Sequence, residues 1–201
     1  MRWEVKEKSS EETIKQLGEE LNNLAPSLTN ILLQRGVNTL NEAKHFFRPD
    51  LTHTHNPFLM QDMEKAVERI EKAITNNEKI LVFGDYDVDG TTSVALVYSF
   101  LSNFYSNLGY YIPDRYAEGY GISFQGIDYA QQNNFSLIIA LDCGIKAIDK
   151  VEYANQKNID FIICDHHQPG NEIPNAVAVL DPKRSDCDYP YKELSGCGVG
   201  F

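Results

Sequence analysis

Residues Lys79 to Ser93 read Lys-Ile-Leu-Val-Phe-Gly-Asp-Tyr-Asp-Val-Asp-Gly-Thr-Thr-Ser. The apolar run from Ile80 to Phe83 stops abruptly at three aspartates in alternate positions, Asp85, Asp87 and Asp89, and Gly90 then leads into a helix-like segment. The pattern is a strand, an acidic loop and a helix. Three carboxylates within five residues repel one another unless a cation sits among them, and oxygen ligands suit hard or borderline ions such as Mg²⁺ or Mn²⁺. The plain alternative is a solvated acidic turn. It has to account as well for a second cluster of acids and histidines downstream.

Working outward from this stretch, the chain alternates strands and helices. Helix 92–104 is followed by strand 108–112, a loop rich in Gly and Tyr, a helix from a Ser123 cap to about residue 133, strand 137–141 and helix 147–155. Strands 161–164 and 176–180 complete the series. Such alternation predicts a mostly parallel sheet with helices on both faces. Each strand of this series ends in polar residues: Asp142 after 137–141, Asp165-His166-His167 after 161–164, and Asp181 after 176–180. In open α/β sheets ligands bind along the carboxyl edge, so these groups are expected to converge on one crevice with Asp85, Asp87 and Asp89.

Upstream, residues 1–75 predict a small helical region. Apolar residues at Ile14, Leu17, Leu21 and Leu24 follow a helical period behind Ser9 and Ser10, and Pro26 stops that helix. Helices are expected over 28–34 and 40–47, and an amphipathic one over 60–74 leads into the acidic loop. His53 and His55 have no third ligand or helical spacing beside them, and a loop reading competes there with a metal reading. The expected division is 1–75 for the helical lead-in and 76–201 for the α/β domain.

The 201 residues are 42% hydrophobic, enough for one α/β domain plus a smaller helical piece. No apolar run reaches membrane-spanning length and the first residues lack a signal-peptide core, so a cytoplasmic enzyme with no membrane partner is expected. Cys143, Cys164, Cys187 and Cys197 lack paired zinc spacing and read as reduced, structural thiols. The net charge of -11 argues against a bare phosphate-binding surface. Its distribution softens that objection, because Lys and Arg number 10 against 12 acids in residues 1–75, but 8 against 17 in residues 76–201. Five of those 17 acids belong to the suspected site, and divalent ions would cancel much of their charge.

The stretch Asp-Tyr-Asp-Val-Asp-Gly at 85–90, the strand-end Asp142 and Asp165-His-His167 resemble the first three motifs of the DHH phosphoesterase superfamily, in that order. Further stretches resemble the superfamily's single-strand-specific exonucleases. They are Tyr111-Ile-Pro-Asp-Arg-Tyr-Ala-Glu-Gly-Tyr-Gly-Ile122, Leu141-Asp-Cys-Gly144, Leu180-Asp-Pro-Lys183 and Leu194-Ser-Gly-Cys-Gly-Val-Gly-Phe201, together with Gln34-Arg-Gly36 and Pro57-Phe58 in the lead-in. The resemblance implies a DHH phosphoesterase domain and a two-metal hydrolase, dependent on Mn²⁺ or Mg²⁺, that removes nucleotides from single-stranded DNA in the 5′ to 3′ direction in repair and recombination.

By that resemblance Asp87 and Asp89 each hold one ion, Asp142 bridges the two, His166 completes a coordination sphere and Asp85 binds or orients the first ion. His167 faces the scissile phosphate, and Asp165 orients the histidines. Many relatives carry His where this chain has Phe83. Arg115 would bind a phosphate near the 5′ end and Tyr120 would stack on a base. Alternatively, Arg115 pairs with Asp114 or Glu118 and Tyr120 packs inward.

The resemblance also implies a fourth motif, with another metal-binding aspartate, beyond the last residue. The sequence therefore reads as a fragment, itself inactive or nearly so. Two other functions compete: a phosphoesterase acting on short oligonucleotides, cyclic dinucleotides or pyrophosphate, and a non-catalytic replication or scaffold relative. A helicase or single-strand-binding protein is a further candidate partner.

Overall fold

The computed structural model describes residues 4–201. By its contacts the chain divides into two compact units after Thr54. In the first, α1 (Glu11–Glu20), α2 (Pro26–Gln34) and α3 (Leu40–Phe47) surround two small apolar clusters, Ile14-Leu17-Leu33 and Leu32-Val37-Ala43. Ser10 caps α1 through the Thr13 N–H, and Thr39 with Glu42 forms a reciprocal capping box on α3. The first helix stops at Glu20, short of the expected residue 24, because Asn22 and Asn23 both take left-handed backbone angles. His53 ends a short 3-10 turn with its ring 4.3 Å from that of His45.

The second unit is a five-stranded parallel sheet: β1 (Lys79–Gly84), β2 (Leu108–Tyr111), β3 (Phe135–Leu141), β4 (Asp160–Cys164) and β5 (Ala178–Leu180), in the order β2-β1-β3-β4-β5. Strand residues alternate between two cores. Ile80, Val82, Leu137, Ile139, Leu141 and Ile162 face one side, where they meet α4 (Met63–Thr75), α5 (Val88–Ser102) and α8 (Gly196–Gly200). Leu81, Phe83, Ile138, Phe161 and Ile163 face the other, against α6 (Phe124–Gln132) and α7 (Ile148–Gln156). Both faces are covered, as the near-continuous apolar strands require.

Two boundaries differ from the sequence reading for identifiable reasons. That reading groups α4 with the lead-in, yet Ala66 and Ala73 of this helix are buried in the core of the sheet unit. Helix α5 begins at Val88, inside the stretch read as a loop, because the Asp87 carboxylate accepts the Asp89 and Gly90 N–H groups and starts the helix there. Phe83 lies in the α6 core, stacked on Tyr111 at 5.4 Å between ring centroids.

At the amino edge of the sheet, Arg69 of α4 donates to Asp160 at 2.6 Å and to Glu78 at 2.7 Å, and Ser136 donates to the same Glu78. This network fastens α4 to the sheet far from the strands' carboxyl ends.

Candidate metal centre and nucleic-acid interface

The strand order reverses between β1 and β3, and a sheet of this kind opens a crevice at the carboxyl ends of those two strands. Asp85 leaves β1 fully buried. Its Oδ1 accepts the Gly121 N–H at 3.1 Å and its Oδ2 has no partner. Burial, more than any neighbour, pushes this carboxyl above its ordinary range. Gly90 is needed behind it, since a Cβ there would collide with the Asp85 backbone. Asp87 is spent partly on capping α5. Asp89, in the helix's first turn, accepts the Gly196 N–H at 2.9 Å and the Cys197 N–H at 3.0 Å, one on each oxygen.

Asp142 follows β3 with a left-handed backbone, φ 61°, and its N–H donates to the Cys164 carbonyl at 2.8 Å. Strain of that kind concentrates at functional positions. The carboxylate is almost wholly buried, and Oδ1 accepts no hydrogen bond although His166 Nε2 stands 3.2 Å away. The imidazole explains why. Its Nδ1 lies 2.9 Å from the Leu194 carbonyl oxygen, which can only accept, so in the neutral ring Nδ1 carries the proton and Nε2 a lone pair. That lone pair faces Asp142 Oδ1 and also Asp89 Oδ2 at 3.8 Å. Burial first, then the charges of Asp87 and Asp89, push the Asp142 carboxyl up to about 7.

Asp165 is buried and fully engaged. It accepts the Ile145 N–H on one oxygen, and the His166 and His167 N–H groups on the other at 2.7 and 3.1 Å. The same Oδ1 holds His167 Nδ1 at 2.7 Å, so Nε2 is the accepting nitrogen and takes the Tyr120 hydroxyl at 3.1 Å. Asp142, His166 and His167 each bring one donor atom within 4.8 Å of the others. Asp89 joins this group through His166, whose Nε2 lies 3.8 Å from its Oδ2. Asp87 acts through its charge on both Asp85 and Asp142.

In the 114–121 loop, Asp114 accepts the Tyr116 and Ala117 N–H groups, while Glu118 takes Tyr111, Ser123 and the Asp114 N–H. Neither acid pairs with Arg115. The guanidinium instead lies 5.2 Å over the Tyr86 ring, which meets Tyr120 edge-on at 6.0 Å between centroids. A cavity of about 320 Å³ opens beside this cluster, with Ile122, Cys143 and Ile145 as apolar walls and Tyr120, His167 and Lys146 around them. A larger hollow of about 400 Å³ lies at Phe58 to Lys65, away from every one of these groups.

Sequence reasoning names the acids and histidines but misses Tyr86, which sits within the acidic motif, and the backbone of Leu194 to Cys197. The first has a signal, an aromatic between two candidate ligands. The second has none, because a main-chain contact depends on the fold.

The orphaned buried oxygens of Asp85 and Asp142, the Nε2 lone pair of His166 and the crowding of like charge fit a divalent cation held mainly by oxygen. A parallel sheet that gathers this acid and histidine cluster at its carboxyl edge has the donor set of a metal-binding α/β domain. A sequence model of the DHH family, N-terminal domain, matches residues 79–201, and the chain belongs to that family.

Its relatives narrow the comparison to the single-stranded-DNA-specific exonuclease RecJ. The chain is 39% identical over 201 residues to RecJ of Bacillus subtilis (strain 168), covering 100% of this chain and 25% of that protein. It is 37% identical over 179 residues to RecJ of Escherichia coli (strain K12), covering 89% and 30% respectively. The chain thus spans between a quarter and a third of the length of these relatives. A crystal structure of exonuclease RecJ bound to manganese superposes with a TM-score of 0.66 at 26% identity, covering 73% of this chain and 37% of that one. RecJ of Thermus thermophilus in complex with Mn²⁺ gives 0.72 at 23% identity over 100% of this chain and 27% of that one, which shows the shared fold.

Proposed function

We propose that this chain serves the Mn²⁺- or Mg²⁺-dependent hydrolysis of single-stranded DNA from its 5′ end. The observation that carries the reading is the His166 lone pair aimed at Asp142 and Asp89 among buried, unpartnered carboxylate oxygens. The two RecJ relatives are single-stranded-DNA-specific exonucleases by name, and their similarity to this chain supports the substrate.

In this reading Asp87, Asp89, Asp142 and His166 hold the ions, with Asp85 orienting the first. Bound there, divalent ions would supply Lewis acidity of the kind that activates a water and steadies charge on a leaving oxygen. The chain's own residues do the rest. His167, its Nδ1 proton fixed by Asp165, accepts the Tyr120 hydroxyl on Nε2 at the edge of the site, and by taking up a proton there in place of that bond it can face a phosphate oxygen as a donor. Arg115 on its Tyr86 support reaches for the terminal phosphate, and Tyr120 offers a ring face to a base. The apolar cavity rimmed by Lys146 gives the terminal nucleotide somewhere to lie. The reading places the protein in the cytoplasm in DNA repair and recombination, beside a helicase or single-strand-binding protein that presents the strand. No helix of the described residues is long and apolar enough to cross a membrane.

A chimaera tests this directly. This chain would replace the matching quarter of the Bacillus subtilis relative, and 5′-labelled single-stranded and duplex DNA would be supplied with Mn²⁺. Loss of the single strand alone, abolished by Asp142→Ala or by chelator, is expected. A chimaera that folds, binds Mn²⁺ and leaves single strands intact would overturn the assignment.

A further inference from the structure

We propose that the turn Leu194 to Cys197 is a positioning clasp for the metal centre, setting which imidazole nitrogen of His166 faces the ion and how Asp89 is turned. The inference rests on the reading that these acids hold a divalent cation, and extends it to a segment to which that reading gives no part. Three hydrogen bonds leave this short turn for two motifs distant in sequence. The Leu194 carbonyl takes the His166 Nδ1 proton at 2.9 Å, and the Gly196 and Cys197 N–H groups reach Asp89 Oδ2 and Oδ1 at 2.9 and 3.0 Å.

Each bond has a chemical consequence. A carbonyl oxygen cannot donate, so its contact with Nδ1 selects the tautomer whose Nε2 is free to coordinate. The paired N–H groups fix the rotation of the Asp89 carboxylate and disperse part of its charge, while each oxygen keeps a lone pair for a cation. Among the described residues, nothing else hydrogen-bonds the Asp89 carboxylate, and the Leu194 carbonyl is the sole partner of His166 Nδ1. The turn also presses on the third ligand, since a Cβ at Gly196 would collide with Asp142 Oδ1.

The clasp is itself anchored. Ser195 Oγ accepts the Gly198 N–H at 3.0 Å, Leu194 packs on the core shared by α4 and α5, and Gly200 sits close against Leu141 and Val97. A side chain at Gly198 would meet only ordinary contacts at 3.4 Å or more, which makes that position a matched control.

Two measurements decide the matter. In metal-free protein at a pH where His166 is neutral, nitrogen NMR of the imidazole should show the proton on Nδ1; a proton on Nε2 would overturn the clasp. Gly196→Ala keeps its N–H, but its Cβ must push the whole turn away from Asp142 and so off Asp89 and His166. Titration with Mn²⁺ should therefore show this variant binding about ten- to a hundredfold more weakly than wild type, the range found for loss of groups that orient metal ligands. Gly198→Ala should bind as wild type does. A folded Gly196→Ala variant with wild-type Mn²⁺ affinity would refute the proposal. If Gly196→Ala does not fold, the wild-type tautomer decides alone. Wild-type protein that binds no Mn²⁺ while keeping the Nδ1 tautomer would refute the metal role of the turn and the reading of the acids together, whereas failure of the clasp alone leaves Mn²⁺ binding intact.

Discussion

Nε2 of His166 faces Oδ1 of Asp142 across 3.2 Å, and the donation of Nδ1 to the Leu194 carbonyl leaves both facing atoms as acceptors. Two acceptors at that distance need a proton or a cation between them. With the Asp142 carboxyl pushed up to about 7, the metal-free protein holds a proton there through most of the acidic range, and an entering ion must displace it. Mn²⁺ affinity is therefore expected to climb as pH rises through about 7, and to level off above that. Calorimetry in buffers of different ionisation heat should show proton release on binding on the acid side of that range. Affinity independent of pH throughout would disprove the shared-proton arrangement.

The same carboxyl governs stability when no metal is present. Unfolded, Asp142 loses its proton near the ordinary 3.8, whereas in the fold it keeps it up to about 7. Between those values the folded state binds more protons, so stability falls as pH rises from about 4 to 7. Asp181, fully buried and raised to about 6, and Asp85 act in the same direction. Asp142→Asn should raise the melting temperature in chelator above neutral pH and flatten its decline across the acidic range. The gain should be about 2 kcal/mol, taking each tenfold change in proton affinity as ~1.4 kcal/mol and discounting for relaxation. An unchanged slope would show that the burial of this group carries no penalty.

The opposite edge of the sheet should behave independently. Arg69 is buried between Glu78 and Asp160, and its removal strands the partly buried Glu78 without its cation. Arg69→Ala is expected to destabilise the protein by about 3 kcal/mol, within the range for breaking a buried pair. Mn²⁺ affinity of the folded variant should stay at the wild-type value. Denaturant midpoints and metal titration on the same sample separate the two effects, and a weakened metal site would reveal coupling across the sheet.

For the strand end, Arg115→Ala should weaken binding of 5′-phosphorylated single strands more than of 5′-hydroxyl strands. Tyr86→Leu should give part of the same preference loss, because it removes the ring beneath the guanidinium without touching its charge. Tyr120→Ala should weaken both kinds of strand, by about 1–3 kcal/mol if a base stacks there. Fluorescence anisotropy with the two ends reads each case. Equal losses for both ends in the Arg115 variant would return that residue to an ordinary surface charge.

Much of the fold was legible because β1, β3 and β4 are short apolar runs that end in Asp85, Asp142 and Asp165. Buried strands alternating with helices leave few topologies, and the carboxyl edge follows from them. What remained hidden depends on backbone register and loop shape. That Asp87 would start α5 at Val88, that Tyr120 would give its hydroxyl to His167, and that Leu194 would choose the His166 tautomer each require knowing which atoms face one another. Periodicity reports which face a residue occupies, not the direction of a single carbonyl.

The left-handed backbone at Asp142 also narrows what this position can become. Asparagine tolerates that conformation at least as well as aspartate, and most other side chains do not. Asparagine would also relieve the crowding of charge around a buried acid. The fold therefore lies one conservative exchange from a sturdier copy of itself that lacks this buried carboxylate. A DHH sequence carrying Asn at this point would be expected to keep the same fold with one carboxylate fewer at the sheet's carboxyl edge.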